Sequence, residues 1–164
     1  MTPRLTPWRD IGAEEGDATV VNVQTQIHIN RSRTEVADYA ANPDNAPKWY
    51  VNIHKSQRLT TGPVGTGSKV AFTAKFLGRE INYTYEFVEY VPGEKLVMRT
   101  AQGPFPMQTT YTWTDDDGGT RMSLGNTGNP AGFSRLAGLV MAPMIRRETR
   151  KDLQKLKTIL EGRA

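Results

Sequence analysis

Three tyrosines stand where strand-like alternation would turn their side chains to one face of a sheet. Tyr83 and Tyr85 lie two residues apart in "REINYTYEFVEYV", and Tyr111 lies in "MQTTYTWT" with Thr109 two residues before it. A buried tyrosine packs like phenylalanine, but its hydroxyl needs a hydrogen-bond partner. Together with Asn126, these groups could satisfy one another as ordinary core residues, bind water, or contact a ligand. Taken as a set, they favour a ligand site.

Tyrosine hydroxyls of this kind can also do chemistry. A buried phenol can donate a hydrogen bond to a developing enolate, as a reaction on a polyketide or another enolisable carbonyl compound requires. An arginine at the rim, Arg79 or Arg99, could anchor an anionic end of such a substrate. Arg99 nevertheless falls on the outward parity beside Met98, which weakens the catalytic interpretation.

Other catalytic and cofactor chemistries find little support. The chain has no cysteine, which excludes disulfides, thiolate catalysis and cysteine-based metal sites. Its two histidines, His28 and His54, fall on different elements and make a poor start for a metal site. "DDDGG" is typical of a hairpin turn, and no phosphate loop, Ser-His-Asp arrangement or dinucleotide fingerprint is present. We expect no metal and no cofactor, and no catalytic residue is assigned.

The elements that must position these residues are mostly strands. "VVNVQTQIHIN" alternates strictly and predicts a half-buried strand, with its odd-numbered residues from Val21 to Ile29 inward. Six further strands follow, separated by "TTGPVGTG", Gly78, Pro92-Gly93, "QGPFP" and "DDDGG". Connections this short allow only antiparallel neighbours. Counting back by twos from Val91 places Phe87, Tyr85 and Tyr83 on one face.

Helices occupy two places in the chain. Ser32 and Glu35 have capping-box spacing and predict a short helix after the first strand, and Asp44 caps a second one through Trp49. A long helix runs from Asn129-Pro130 to the C-terminus. Its first half is apolar, its second half is basic with a leucine stripe, and Pro143 should kink or divide it. Residues 128–144, rich in glycine, could move as a lid.

These elements predict an α+β domain in which a curved seven-stranded antiparallel sheet wraps around the C-terminal helix, with two short helices after strand 1. Such a sheet cannot fill its own interior completely, so we expect a cavity. The predicted wall combines aromatics, methionines, aliphatics and a few polar groups. It consists of Trp49, Tyr83, Tyr85, Phe87, Met98, Thr109, Tyr111, Trp113, Met122, Asn126, Phe133, Leu136, Val140 and Met144.

In order and spacing, several segments resemble the helix-grip or START-like superfamily, which includes birch-pollen-allergen-like proteins, polyketide cyclase/dehydratases and lipid-transfer domains. They are "IHINRSRTEVADY", "NPDNAPKW", "FVEYVPGEKLVM", "WTDDDGGTRMSL" and the terminal "LQKLKTILE", and the resemblance covers residues 20–162. It implies a helix-grip fold with an internal pocket for a hydrophobic ligand, and Trp49 at its lip, as a gate or a structural wedge. The superfamily shares no single reaction, since its members bind lipids, sterols or polyketides and only some catalyse.

Three functions follow as hypotheses. The first is binding of a lipid, sterol or polyketide-like molecule for transport, storage or sensing. The second is a cofactor-independent polyketide cyclase/dehydratase-like enzyme that uses the pocket tyrosines. The third is contact with an anionic partner or lipid surface through the basic helix, where Arg146, Arg147 and Arg150 cluster.

Charge and composition bear on domains and partners. The net charge is +4, but eight basic and three acidic residues from Arg135 onward carry all of it, so a solvated helix face explains it and no nucleic acid is expected. No apolar run could span a membrane, and the N-terminus has no apolar signal region. We expect an N-terminal tail over residues 1–18, a single domain over 19–162, and a cytoplasmic location. The oligomeric state is not predicted.

Overall fold

The computed structural model describes residues 21–129 and 135–163, and for 135–139 it describes the backbone alone. The predicted tail over residues 1–18 therefore lies outside the described residues. The same holds for Phe133 and for the side chain of Leu136, both predicted to line the pocket.

Seven antiparallel strands form one sheet, as the alternation and the short connections predict. The strands are β1 (Val21–Ile29), β2 (Ile53–Arg58), β3 (Lys69–Phe76), β4 (Arg79–Val91), β5 (Lys95–Gln102), β6 (Met107–Asp116) and β7 (Gly119–Gly128). Their order across the sheet is β1-β7-β6-β5-β4-β3-β2. All neighbours are sequential except β1, which pairs with β7. The sheet therefore has β1 and β2 at its edges.

The alternation places the predicted side chains on the concave face. In β1, Val21, Val23, Thr25 and Ile29 are buried, while the even-numbered residues up to Gln26 are exposed. In β6 the buried residues are likewise every second one, from Thr109 through Trp113. This face is the inner wall of the domain.

One prediction of parity is wrong, and a β-bulge is the reason. The pairing of β4 with β5 runs Phe87 with Met98 and then Glu89 with Val97, so Val88 is an extra residue. An extra residue shifts every side chain beyond it to the opposite face. Tyr90 consequently packs against the core, and Val91 is 40% exposed instead of inward.

Two hairpins depend on residues with left-handed backbone conformation. Leu77 and Gly78 join β3 to β4 with φ of 51° and 75°, and Asp117 and Gly118 join β6 to β7 with φ of 47° and 76°. Two consecutive positive φ values define the turn whose twist matches that of the flanking strands. The interpretation of "DDDGG" as hairpin-turn chemistry is confirmed.

Two short helices connect β1 to β2. Helix α1 spans Arg33–Ala41, a single 3-10 turn spans Pro43–Asn45, and α2 spans Ala46–Trp49. The predicted cap of α1 is present, because Ser32 Oγ accepts a hydrogen bond from the Glu35 N–H at 3.3 Å. These helices pack apolar side chains into the interior beneath the sheet.

The closing helix α3 spans Arg135–Glu161 and passes through Pro143 as one element, so the proline does not divide it. Leu153, Leu156 and Leu160 form the predicted buried stripe. At the C-terminal end Lys157 Nζ donates to the His28 carbonyl at 2.7 Å. None of the helices among the described residues has the length and apolar composition needed to cross a bilayer.

Candidate ligand-binding cavity

A cavity of about 510 Å³ lies between the concave face of the sheet and the part of α3 from Met141 to Asp152. It exists because the two ends of α3 are packed differently. Leu153, Leu156 and Leu160 are buried in the core and do not line the cavity, whereas Met141 and Ile145, nearer the N-terminal end, border it.

Aromatic rings form one wall. On β4 the rings of Tyr83 and Tyr85 lie 5.0 Å apart in an edge-on arrangement. Phe72 of β3 packs against both, at 5.6 Å from Tyr83 and 6.0 Å from Tyr85. Edge-to-face packing of this kind holds rings in fixed orientations, so the wall is a defined apolar surface.

A chain of hydrogen bonds runs across the concave face of the sheet from the Tyr85 hydroxyl. Thr109 Oγ1 donates to Asn126 Oδ1 at 2.9 Å, so the Tyr85 hydroxyl must be the donor in its 2.9 Å contact with Thr109 Oγ1. Burial raises the pKa of Tyr85 to about 12, partly offset by the Thr109 hydrogen bond. Here the polar groups of the predicted site satisfy one another, one of the alternatives that the sequence left open.

A second pair of hydroxyls joins the sheet to the segment after α2. The hydroxyl of Tyr50 hydrogen bonds with that of Tyr111 at 2.5 Å. Burial raises the pKa of both phenols well above the ordinary value, so both are neutral. Tyr50 is absent from the predicted site because it lies in an irregular connection, where neither strand nor helix periodicity assigns a face.

Tyr83 differs from the other cavity tyrosines. Its hydroxyl has no hydrogen-bond partner among the described residues. Burial raises its pKa well above the ordinary value. The neighbouring Tyr85, Tyr111 and Asp152 raise the pKa further. Tyr83 therefore offers the cavity a neutral hydroxyl that can donate or accept.

A buried carboxyl from α3 completes the polar part of the cavity. Asp152 is 4% exposed, and the Val51 N–H donates to its Oδ1 at 2.8 Å. Burial raises the pKa of Asp152 from 3.8 to about 7, the Val51 hydrogen bond opposes this, and the nearby Glu148 raises it again. At neutral pH the cavity thus contains a carboxyl near its midpoint of titration.

Sequence reasoning assigned Asp152 only to the charge of a solvated helix. A signal was nevertheless present, because Asp152 belongs to a stripe that includes Ile145, Thr149 and Leu156 at spacings of three and four residues. That spacing defines one face of a helix. The stripe marks Asp152 as inward-facing.

Among the described residues, the cavity reaches the protein surface at the β3–β4 hairpin. Leu77, which lines the cavity there, is 45% exposed. Phe76, the last residue of β3, and Phe105, from the β5–β6 connection, approach to 6.0 Å between ring centroids.

Known proteins share this arrangement of an apolar cavity between a curved antiparallel sheet and a long terminal helix. Residues 20–161 match the family described as "Polyketide cyclase / dehydrase and lipid transport". The chain belongs to this family. No curated protein matches it.

Solved structures share the fold of this family member at low sequence identity. TTHA0849 from Thermus thermophilus has a TM-score of 0.75 at 14% identity, covering 86% of this chain and 97% of its own. The Zhui aromatase/cyclase from Streptomyces sp. R1128 has a TM-score of 0.72 at 13% identity, covering 87% and 94%. Major latex-like protein 151 from Panax ginseng has 0.65 at 9% identity, covering 85% and 97%. The helix-grip fold is thereby established.

In this family member, eight of the fourteen predicted site residues line the cavity. They are Tyr83, Tyr85, Phe87, Met98, Thr109, Tyr111, Asn126 and Met144. Three others, Trp49, Trp113 and Met122, are at most 2% exposed and belong to the packed core beyond the cavity. Trp49 stacks on Tyr50 at 4.1 Å between ring centroids, so it lies behind the wall and not at a lip.

The prediction for Val140 is wrong. Val140 is 66% exposed, whereas the next residue, Met141, is 3% exposed. Successive helix residues point about 100° apart, and the cavity face of α3 passes through Met141, Met144 and Ile145. Neither Arg79 nor Arg99 lines the cavity, and Arg99 Nε donates to Gln108 Oε1 at 2.7 Å.

Proposed function

We propose that this protein binds a hydrophobic or amphipathic small molecule in the cavity between the sheet and α3, for transport, storage or sensing in the cytoplasm. The observation that carries the proposal is a cavity of about 510 Å³ whose walls are mainly aromatic and aliphatic. Ligand sites are typically apolar, concave and of about 300–1,000 Å³. Since a cavity of about 150 Å³ accommodates benzene, this one suits a ligand of about three rings or a chain of similar volume.

A thermal-unfolding panel of fatty acids, sterols and aromatic polyketides tests the proposal. A ligand at about 100 times its Kd raises the free energy of unfolding by about 2.7 kcal/mol. For a chain of 164 residues, this corresponds to a rise of roughly 5–11 °C in Tm. If no member of the panel shifts Tm, the proposal is wrong.

A matched pair of variants separates cavity binding from binding to the outer surface. Ala74 of β3 lines the cavity, and Ala71 lies on the opposite face of the same strand. Ala74→Phe should fill part of the cavity and weaken binding at least tenfold, whereas Ala71→Phe should leave it unchanged. Equal effects of the two substitutions would place the ligand outside the cavity.

A second candidate function is cyclase- or dehydrase-type catalysis on an enolisable carbonyl compound. The unpartnered hydroxyl of Tyr83 favours it, since that group can donate a hydrogen bond to a developing enolate. Tyr83→Phe should then lower kcat for an aromatic polyketide precursor at least tenfold with little change in the Kd of the product. Equal losses in turnover and binding would assign Tyr83 to binding alone.

A further inference from the structure

The polar end of the cavity is acidic. Asp152 and Glu148, one turn apart on α3, both line it. Glu148 accepts hydrogen bonds from Asn52 Nδ2 at 3.3 Å and from Lys151 Nζ at 3.1 Å. Asp152 Oδ1 accepts one from the Val51 N–H, and its Oδ2 receives none from any described residue. A carboxyl that is 96% buried thus retains one oxygen without a donor.

Among the described residues, the titratable groups that other elements bring close to Asp152 are neutral phenols. Tyr50 approaches from the connection after α2, Tyr83 from β4 and Tyr111 from β6, and the Asp152 charge raises the pKa of each phenol. On its own helix, Lys151 and Lys155 lower the pKa of Asp152. Neither lysine is among the residues that line the cavity.

The one basic side chain among the described lining residues is Lys75, which is exposed at the hairpin end. Asp152 lies eleven residues along α3 from Met141, a distance of about 16 Å. The two acidic groups of the cavity therefore lie at the end away from Lys75 and the hairpin. Opposite charge stabilises a buried carboxylate, and like charge at such a site is strongly unfavourable.

We propose that the bound molecule carries a cationic amine, which docks against Asp152 while its apolar body lies along the aromatic wall. This inference rests on the proposed function. An ammonium group has three donors and no acceptor, and the oxygens of Asp152, Glu148 and Tyr83 are acceptors at that end. A carboxylate head, as in a fatty acid, would meet two carboxyl groups.

Three probes of nearly equal shape test the proposal: 2-naphthylmethylamine, 2-naphthylmethanol and 2-naphthoate. Isothermal titration calorimetry at pH 8 should give the amine a Kd at least tenfold below that of the carboxylate, with the alcohol between them. Asp152→Asn should weaken amine binding at least tenfold and change alcohol binding by a much smaller factor. Asp38→Asn, on the exposed face of α1, makes the same change in net charge and should alter neither.

A pH series on the unaltered protein gives an independent result. Asp152 gains a proton near pH 7, so the Kd of the amine should rise about tenfold between pH 8 and pH 6, while that of the alcohol stays constant. This series decides the matter even if Asp152→Asn fails to fold.

Equal Kd values for the three probes, tightest binding of the carboxylate, or a flat pH series for the amine would overturn the inference and leave the proposed function standing. So would a protein that responds to the wider panel but not to the amine. If neither the probes nor the panel bind, the proposed function itself fails.

Discussion

Replacing Asp152 with asparagine should stabilise the protein above neutral pH. The unfolded chain releases the Asp152 proton near the ordinary pKa of 3.8, whereas burial holds the proton on the folded protein up to about pH 7. Between these values the folded state binds more protons than the unfolded state, so stability falls as pH rises. Asparagine carries no charge, and its Oδ1 can still accept the hydrogen bond from the Val51 N–H.

The magnitude follows from the two pKa values. Each pKa unit corresponds to about 1.4 kcal/mol, so the difference between 3.8 and about 7 corresponds to at most about 4 kcal/mol. The free energy of unfolding of the unaltered protein, relative to Asp152→Asn, should fall by about 1.4 kcal/mol per pH unit from about pH 4 to pH 7. Above pH 7 the difference should level off.

Urea unfolding followed by circular dichroism at pH 4.5, 6, 7 and 8.5 measures this difference. With an m-value of about 2 kcal/mol/M, the variant's midpoint at pH 8.5 should exceed that of the unaltered protein by about 1–2 M. Asp38→Asn on the exposed face of α1 is the control, with an effect within about 0.5 kcal/mol at every pH. A difference between Asp152→Asn and the unaltered protein that does not vary with pH would refute the reasoning.

Five further substitutions, in three groups, test the fold by the same unfolding measurement. Leu156 is 0% exposed, so Leu156→Ala should cost about 2–5 kcal/mol, and a cost below about 1 kcal/mol would contradict its place in the core. Met141→Ala should cost at least about 2 kcal/mol, but Val140→Ala under about 0.5 kcal/mol; the reverse order would mean a different helix phase. A Cβ on Gly119 would lie 2.5 Å from a carbonyl oxygen of β1, while Gly118 has open space and a φ of 76°. Gly119→Ala should therefore cost more than the roughly 1–2 kcal/mol of Gly118→Ala, and equal costs would contradict that contact.

The sheet could be predicted because neighbouring residues in the sequence determine its strands and turns. Alternation from Val21 to Ile29 and the hairpin glycines determine which side chains face inward and where each strand turns. The same local rules assigned Tyr83, Tyr85 and Tyr111 to the cavity wall. The bulge at Val88 could not be read from the pattern, because an extra residue looks the same as a continuous strand until the partner strand is known.

The parts of the site that sequence missed depend on long-range packing. The irregular segment carrying Tyr50 and Val51 acquires a role only when it meets Tyr111 and Asp152. The phase of α3 over the sheet decides that Met141 is inward and Val140 outward, and a long helix with apolar residues on several sides does not specify that phase near its start. The extent of the cavity also depends on long-range packing. Trp113 faces inward as predicted but belongs to the packed core and not to the cavity wall.

The two ends of α3 are fastened very differently. Its last turns are clamped to the end of β1, where Glu161 accepts a hydrogen bond from the Asn30 N–H at 2.8 Å and Lys157 holds the His28 carbonyl. The turns from Met141 to Thr149 border empty volume instead. A bound ligand should therefore change the position or stability of α3 only in the turns before Leu156. Ligand binding should change the hydrogen-exchange rates of backbone amides in α3 before Leu156 and leave those after Leu156 unchanged.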